Sequence, residues 1–163
     1  MPATGCRAPL AGKASQLLKD RNTDQLTWKW RSASGTNVAD LGDPTADTSY
    51  ELCVFDTRRD DPTLVVDTQV PPGPAWSARG HEFRYRDKTG AAAGMNRITL
   101  QVGSNGGASI AVNAKGAGFT VPTLPLAADP EVLVQLLNGN ACWEARYETS
   151  VVNDAAEFKA RTE

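Results

Sequence analysis

Few residues of this chain have the types and spacing that catalysis requires. Nucleophilic catalysis needs a general base within hydrogen-bond reach, usually a histidine, and the chain has a single histidine, His81. No G-x-S-x-G motif is present, and the run Gly103–Gly107 has the composition of a turn. A lone histidine in a polar loop is more typical of a solvated side chain than of a catalytic base. We therefore predict no catalytic residues and expect the protein not to be an enzyme.

Metal ligands are also poorly arranged. Three dispersed cysteines and one histidine lack the closely spaced cysteine pair from which structural zinc sites are built. The run Asp20–Asp24 alternates oxygen ligands as a calcium loop does, but Gln25 and Arg31 occupy the positions of its glycine and final acid. We expect a turn closed by side-chain hydrogen bonds there. The sequence predicts no metal site and no cofactor.

The three cysteines, Cys6, Cys53 and Cys142, permit one disulfide at most. Their spacing does not choose among the three pairings, nor does it exclude three free thiols. A bond from Cys6 to Cys53 or to Cys142 would fix the N-terminal arm, residues 1–10, to the folded core. Without such a bond we expect that arm to be flexible.

The aromatic residues offer the best signal for ligand binding. Trp28, Trp30 and Trp143 lie among apolar neighbours in predicted strands, which is typical of core residues. Trp76 instead lies among turn formers in PPGPAWSARGH, where exposing a large ring is costly unless the ring has a role. It could cap one end of the fold or stack on a sugar. If the protein has a binding site, we predict that it includes Trp76, Arg79 and His81.

Composition and charge narrow the classes of partner. Charged residues make up 22% of the chain, and the formal net charge is −2. This balance argues against nucleic acid, because a nucleic-acid binder usually shows a basic stripe. It gives no reason to expect an anionic membrane surface, and no apolar run approaches the ~20 residues of a membrane span. The N-terminus lacks the apolar segment of a signal peptide, so an exported protein would be represented here by its mature form with Met1 added.

The stretch Glu131–Tyr147 is predicted to form the central hairpin of the fold. Its first arm, residues 131–137, is apolar on both faces, which is typical of a strand covered on both sides. Asn138–Gly139 favours the positive φ angles of a tight turn. The second arm places Trp143 on one face and Cys142 on the other, so a disulfide from Cys142 would cross the outside of that strand.

Alternating apolar and polar residues predict further strands. They lie at residues 25–31, 64–70, 82–88, 98–102, 108–115 and, as an edge strand, 158–161. Residues 50–56 are apolar on both faces and predict a second central strand, and residues 12–20 could form a strand or a short helix, of which we favour the strand. Thr57–Pro62 is predicted as a charged turn, and prolines exclude the extended segment Gly116–Pro130 from a central ladder. The pattern indicates one all-β domain over residues 1–163, an antiparallel β-sandwich of jelly-roll type or, alternatively, a partly closed barrel.

Five sequence blocks resemble those of a bacterial family. They are LCVFD at 52–56, FRYRDK at 83–88, VPTLPL at 121–126, VLVQLLN at 132–138 and CWEARY at 142–147. From Gly5 to Lys159 the chain resembles a family of uncharacterised bacterial proteins with exported β-domains. The resemblance brings no activity, cofactor or ligand with it. Members of that family carry extra cysteines near the position of Pro74–Trp76, and this chain lacks them, so a full disulfide framework is not implied.

We expect a non-enzymatic exported module, extracellular or at the cell surface, that binds a glycan or a partner protein. One alternative is a structural subunit of a filament, shell or virion surface, in which edge strands and Gly116–Pro130 make contacts between copies. Such a subunit would form homo-oligomers. Another is a hydrolase acting on a polymer, which requires two carboxylates across a cleft, for example from the loops 40–47 and 56–61.

Overall fold

The protein consists of two stacked antiparallel sheets. In nearly every strand the apolar side chains alternate with polar ones, so one face of the strand packs into the interior between the sheets. The computed structural model describes residues 1–163. Its twelve strands are β1 (Ser15–Lys19), β2 (Gln25–Ser32), β3 (Tyr50–Arg58), β4 (Asp61–Val70), β5 (Trp76–Arg79), β6 (Glu82–Arg86), β7 (Met95–Val102), β8 (Ala108–Lys115), β9 (Val132–Leu137), β10 (Cys142–Tyr147), β11 (Val152–Asn153) and β12 (Glu157–Arg161). A single 3-10 helix spans Val38–Leu41.

The two sheets differ in size. The larger has eight strands in the order β11-β12-β1-β2-β8-β7-β6-β5, and the smaller has four in the order β10-β9-β3-β4. They do not close on each other, so the predicted sandwich is confirmed and the alternative barrel is wrong. Consecutive strands mostly pair as hairpins within one sheet, which differs from the crossing connections expected of a jelly roll.

The inner faces share one core of 34 buried residues. It contains Trp28, Trp30 and Trp143, each at most 1% exposed, as predicted. The indole of Trp28 donates a hydrogen bond to Tyr147 Oη at 3.1 Å, and that of Trp143 donates to Thr36 Oγ1 at 3.2 Å. These rings therefore add large buried apolar areas without leaving an unpaired donor in the core.

Strand β9 is the predicted strand covered on both sides. It lies between β10 and β3, and its first five residues are buried. On its outer face Leu133 packs with Cys53 in a small apolar cluster separate from the main core. The tight turn predicted after this strand is instead a four-residue loop, 138–141, in which Asn138 Oδ1 accepts the backbone N–H of Ala141 at 2.9 Å.

The segment Gly116–Pro130 runs outside the ladders, as its prolines predict. Four of its apolar side chains are nevertheless buried in the core: Phe119, Val121, Leu124 and Leu126. The buried carboxylate of Asp56 fixes its end by accepting the backbone N–H groups of Ala127 and Ala128 at 2.9 and 2.8 Å. These apolar side chains are therefore used within one copy and are not free to make contacts between copies.

The N-terminal arm is tethered to the outer side of the smaller sheet. Cys6 and Cys142 form a disulfide, which crosses the outside of β10 as predicted. Gln135 of β9 exchanges two hydrogen bonds with the backbone of Ala3, at 3.0 and 2.9 Å. Arg7 pairs in parallel with the edge of β10. The arm thus covers both this edge and part of the outer sheet face.

Three element boundaries differ from prediction. Most of the predicted turn Thr57–Pro62 is strand, because only Arg59 and Asp60 join β3 to β4. Both have positive φ, 50° and 64°, as in a type I′ turn. The sequence lacks the Asn-Gly pair that usually predicts such a turn. Residues 76–79, predicted as loop, form β5. Strand β12 lies inside its sheet, between β11 and β1, and not at the edge.

Asp56→Ala should lower the free energy of unfolding by about 2–4 kcal/mol, because two backbone N–H groups lose a charged acceptor. Denaturant unfolding measures the change. Asp61→Ala, at the exposed first residue of β4, is the matched control and should change the free energy by less than about 0.5 kcal/mol. Equally small effects of both substitutions would show that Asp56 does not anchor the segment.

Cys142→Ser should lower the free energy of unfolding by about 2–5 kcal/mol, because the lost bond joins residues separated by 136 positions and restricts the unfolded chain. Cys6→Ser removes the same bond. The two single variants and the double variant should therefore unfold at similar denaturant concentrations. Additive losses in the double variant would contradict a bond between these two residues.

Candidate functional site: the basic face of the larger sheet

The outer face of the eight-stranded sheet concentrates the cations of the chain. Strand alternation turns the apolar residues of these strands to the core, so the intervening residues point to solvent. This face carries ten of the 17 Lys and Arg residues but only two of the 19 acids, Glu82 and Glu157. We call it the basic face. Its cations are Lys19, Lys29, Arg31, Arg79, Arg84, Arg86, Arg97, Lys115, Lys159 and Arg161.

This distribution corrects the expectation drawn from net charge. The formal charge of −2 is a sum over the whole chain, and most acids lie in loops or on the smaller sheet. A near-neutral protein therefore carries a sheet face with a large excess of positive charge. The net charge is therefore no guide to whether a basic stripe is present, and the predicted absence of a nucleic-acid partner stays a prediction.

Nine of the ten cations form no ion pair. Glu82 pairs with Arg84, and Glu157 is 3.8 Å from Arg21, which lies off the face. Arg86 and Arg97 are direct cross-strand partners, and like charges at such positions destabilise a sheet by on the order of 0.5 kcal/mol. Repulsion between cations on the basic face therefore lowers the stability of the fold.

The strand register arranges the basic face in rows. One row runs from β12 to β6 through Lys159, Leu17, Thr27, Asn113, Arg97 and Arg86, and the next through Arg161, Ser15, Lys29, Ala111, Thr99 and Arg84. Neighbouring strands are ~4.8 Å apart and successive rows ~6.8 Å apart. Leu17 and several small or polar side chains separate the cations, and the aromatic rings of these strands are buried.

A depression of about 340 Å³ lies where β2, β8, β7 and β6 end together at one side of this face. We call it the basic pocket. Its charged and amide lining includes Arg86, Lys88, Arg97 and Lys115 as cations, Gln25 and Asn113 as amides, and the carboxylate of Asp87. It lies beside a second depression, which shares Gln25 and Lys115 with it.

Asp87 is a fixed acceptor among these donors. Its carboxylate accepts the hydroxyl and the backbone N–H of Thr89 at 2.6 and 2.9 Å, and the N–H of Ala91 at 3.1 Å. The hydrogen bonds from Thr89 lower the pKa of Asp87 below its usual range. The carboxylate is therefore ionised at neutral pH and held in place, and it forms no ion pair.

The three residues predicted as a binding site have different environments. Trp76 is 4% exposed, and its ring packs against Tyr50 and Tyr85 with centroids 5.5 and 5.3 Å apart. Of the two roles left open by the sequence, this burial fits the capping role. Arg79 and His81 are exposed. Arg79 lies at the margin of the basic face, whereas His81 lies in the turn between β5 and β6.

A thiol and two carboxylates meet on the outer face of the smaller sheet. The potential ligand atoms of Glu51, Cys53 and Asp67 lie within 4.8 Å of one another. Burial, reinforced by both carboxylates, raises the pKa of the Cys53 thiol to about 12. The thiol is therefore protonated at neutral pH, and a metal ion would have to displace its proton. In the calcium-like loop the Asp24 carboxylate accepts the backbone N–H of Val121 at 3.0 Å.

The acidic loops considered for a hydrolase lie at opposite ends of β3. Loop 40–47 contacts the first residue of that strand, because Tyr50 Oη donates to the carbonyl of Leu41 at 2.7 Å. The turn at Arg59–Asp60 follows its last residue. A nine-residue strand is ~27 Å long. These loops therefore do not form a cleft with paired carboxylates.

Comparison of the chain with protein-family models, with curated proteins and with solved structures gave no match. The resemblance of the strand blocks to a bacterial family therefore stays a prediction. No helix has the length and apolar character that crossing a membrane requires.

Cys53 should resist thiol reagents in the native protein, because its thiol is buried and protonated. Mass spectrometry after treatment with N-ethylmaleimide at mildly alkaline pH measures the labelling. We expect no label on the native protein, one after unfolding without reductant and three after reduction, since only the disulfide protects the other two cysteines. Rapid labelling of the native protein would contradict this account of the cluster.

Proposed function

We propose that the protein is a non-catalytic exported module that binds an anionic surface ligand through the basic face. The observation that carries the proposal is the set of nine cations without ion-pair partners on one continuous sheet face. Cations one or two strands apart are separated by ~5–10 Å, comparable with the Debye length of ~8 Å at physiological salt. Their potentials therefore add, and such a surface attracts polyanions and accelerates encounter with them.

The disulfide supports a location outside the cytoplasm. Cys6–Cys142 closes a large loop, and stable bonds of this kind are typical of secreted and cell-surface proteins. The polyanions available to an extracellular module are acidic glycans and acidic partner proteins. Binding at a cell surface is therefore the role that we assign to the basic face.

Self-assembly through sheet edges has less support. Strand β4 carries Pro62 in its exposed part and lies opposite a bulge at Val54/Phe55. Strand β5 has four residues, β11 has two, and Arg7 occupies the edge of β10. Short, bulged or covered edges are the features by which proteins avoid pairing with further copies. We therefore rank a filament or shell subunit below the binding module.

Lys29→Gln combined with Arg31→Gln should weaken retention on a dextran sulfate column, because the polymer loses two contacts on the basic face. We expect about ten-fold lower affinity, or ~1.4 kcal/mol. The matched control is Arg58→Gln combined with Arg59→Gln, which removes the same charge near the β3–β4 turn. It should elute at the salt concentration of the unmodified protein.

Equal elution of the two double variants would show that net charge, and not the basic face, governs retention. Failure of the unmodified protein to bind the column at low salt would also contradict the proposal. Circular dichroism and thermal unfolding of each variant check that the fold is retained.

A further inference from the structure

We propose that the basic pocket is a subsite for an acidic sugar residue, so that the ligand of the basic face is an acidic polysaccharide. This inference rests on the proposed function and names its ligand class. The pocket volume of about 340 Å³ is at the lower end of the range for ligand pockets, roughly 300–1,000 Å³. That size suits one residue of an extended polymer better than a bulky compact ligand.

The cations of the pocket converge from three strands and one loop. Arg86 and Arg97 lie side by side as cross-strand partners, Lys115 ends β8, and Lys88 follows β6. None of the four forms an ion pair or donates a side-chain hydrogen bond within the protein. A carboxylate or sulfate group placed between them would receive charge-assisted hydrogen bonds and relieve the repulsion between Arg86 and Arg97.

The other polar groups of the pocket match sugar hydroxyls. Gln25 Nε2 donates to Thr27 Oγ1 at 3.3 Å, and Thr27 Oγ1 donates to Asn113 Oδ1 at 2.9 Å. In this arrangement of hydrogen bonds the Nδ2 group of Asn113 has no acceptor within the protein. Asp87 supplies a fixed carboxylate acceptor beside the cations. A sugar residue with hydroxyls and one acidic group can use the donors and the acceptor together.

A nucleic acid fits this chemistry less well. Its phosphates are acceptors only, so they could not donate to the Asp87 carboxylate in the lining and would be repelled by it. The aromatic residues of the eight strands are buried, which leaves no ring for stacking on unpaired bases. A membrane surface also fits less well, because none of the exposed large hydrophobic residues lies in a strand of the basic face.

The rest of the face provides a path for the polymer. A third depression, of about 270 Å³, is lined by Lys29, Arg31 and Arg161. It lies on the same face as the basic pocket, across β2 and β8. The strand spacing of ~4.8 Å is comparable with the length of one residue in an extended polysaccharide. Acidic groups up to four residues apart along the polymer can therefore reach cations that lie up to four strands apart in one row.

The test compares four probes by isothermal titration calorimetry: a galacturonic acid oligosaccharide, a neutral glucan oligosaccharide of equal length, a DNA duplex and phosphatidylserine vesicles. We expect the acidic oligosaccharide to bind most tightly and the neutral one not to bind. Arg97→Gln combined with Lys115→Gln should weaken binding of the acidic oligosaccharide by about ten-fold or more. Arg58→Gln combined with Arg59→Gln removes equal charge away from the basic face and should weaken it by less than about three-fold.

Asp87→Asn provides a readout that separates the two ligand classes. It removes a negative charge that repels both polyanions, but for the oligosaccharide it also removes an acceptor for hydroxyls, so binding of DNA should gain more than binding of the acidic oligosaccharide. Asparagine can retain the turn, and thermal unfolding verifies that it does. Tighter binding of DNA or of vesicles than of the oligosaccharide would overturn the sugar subsite while leaving an anion-binding face. Absence of binding to every anionic probe would overturn both proposals.

Discussion

Burial of the apolar strand faces between the two sheets is the constraint on which the rest of the structure depends. Each large buried side chain contributes roughly 1.5–3 kcal/mol relative to exposure, and the core holds 34 buried residues. Repulsion between adjacent cations such as Arg86 and Arg97 costs on the order of 0.5 kcal/mol. The core therefore decides which way every strand faces, and the cations must crowd on the outside of the larger sheet.

The outer faces of the two sheets consequently differ in kind. The smaller sheet is partly covered by the N-terminal arm, which Cys6–Cys142 and the hydrogen bonds of Gln135 hold in place. Its charged residues are mostly paired, as with Arg146, which contacts Glu131 and Glu144. The larger sheet has no such cover, and its cations are mostly unpaired. Only the larger sheet combines an open surface with charge that the fold leaves unused.

Local features of this fold could be predicted from the sequence, whereas the site could not. Alternation in Gln25–Arg31 indicates the strand and even the outward positions of Lys29 and Arg31. The order of strands in a sheet depends on pairing between distant segments, such as β2 with β8, which are more than 70 residues apart. Without that order, cations on seven separate strands cannot be recognised as one face. The net charge does not reveal them either, because it is a sum over the whole chain.

Trp76 shows a second limit of reasoning from the local sequence. Its neighbours are turn formers, so the local sequence left open whether the ring caps the fold or stacks on a sugar, whereas in the structure β5 adds to the sheet and buries that ring against Tyr50 and Tyr85. Arg79, three residues later, does lie on the margin of the basic face. A single strand thus places its first residue in the core and its last at the candidate site. Sequence proximity alone could not separate the two roles.

The most direct test of the central claim is a map of the ligand footprint on the assigned amide spectrum of the protein. Titration with the galacturonic acid oligosaccharide should perturb amide signals of β2, β8, β7 and β6, most strongly around Arg97 and Lys115. Signals of the smaller sheet, from β3, β4, β9 and β10, should stay unchanged. A footprint centred on the smaller sheet, or on the turn that holds His81, would contradict the account.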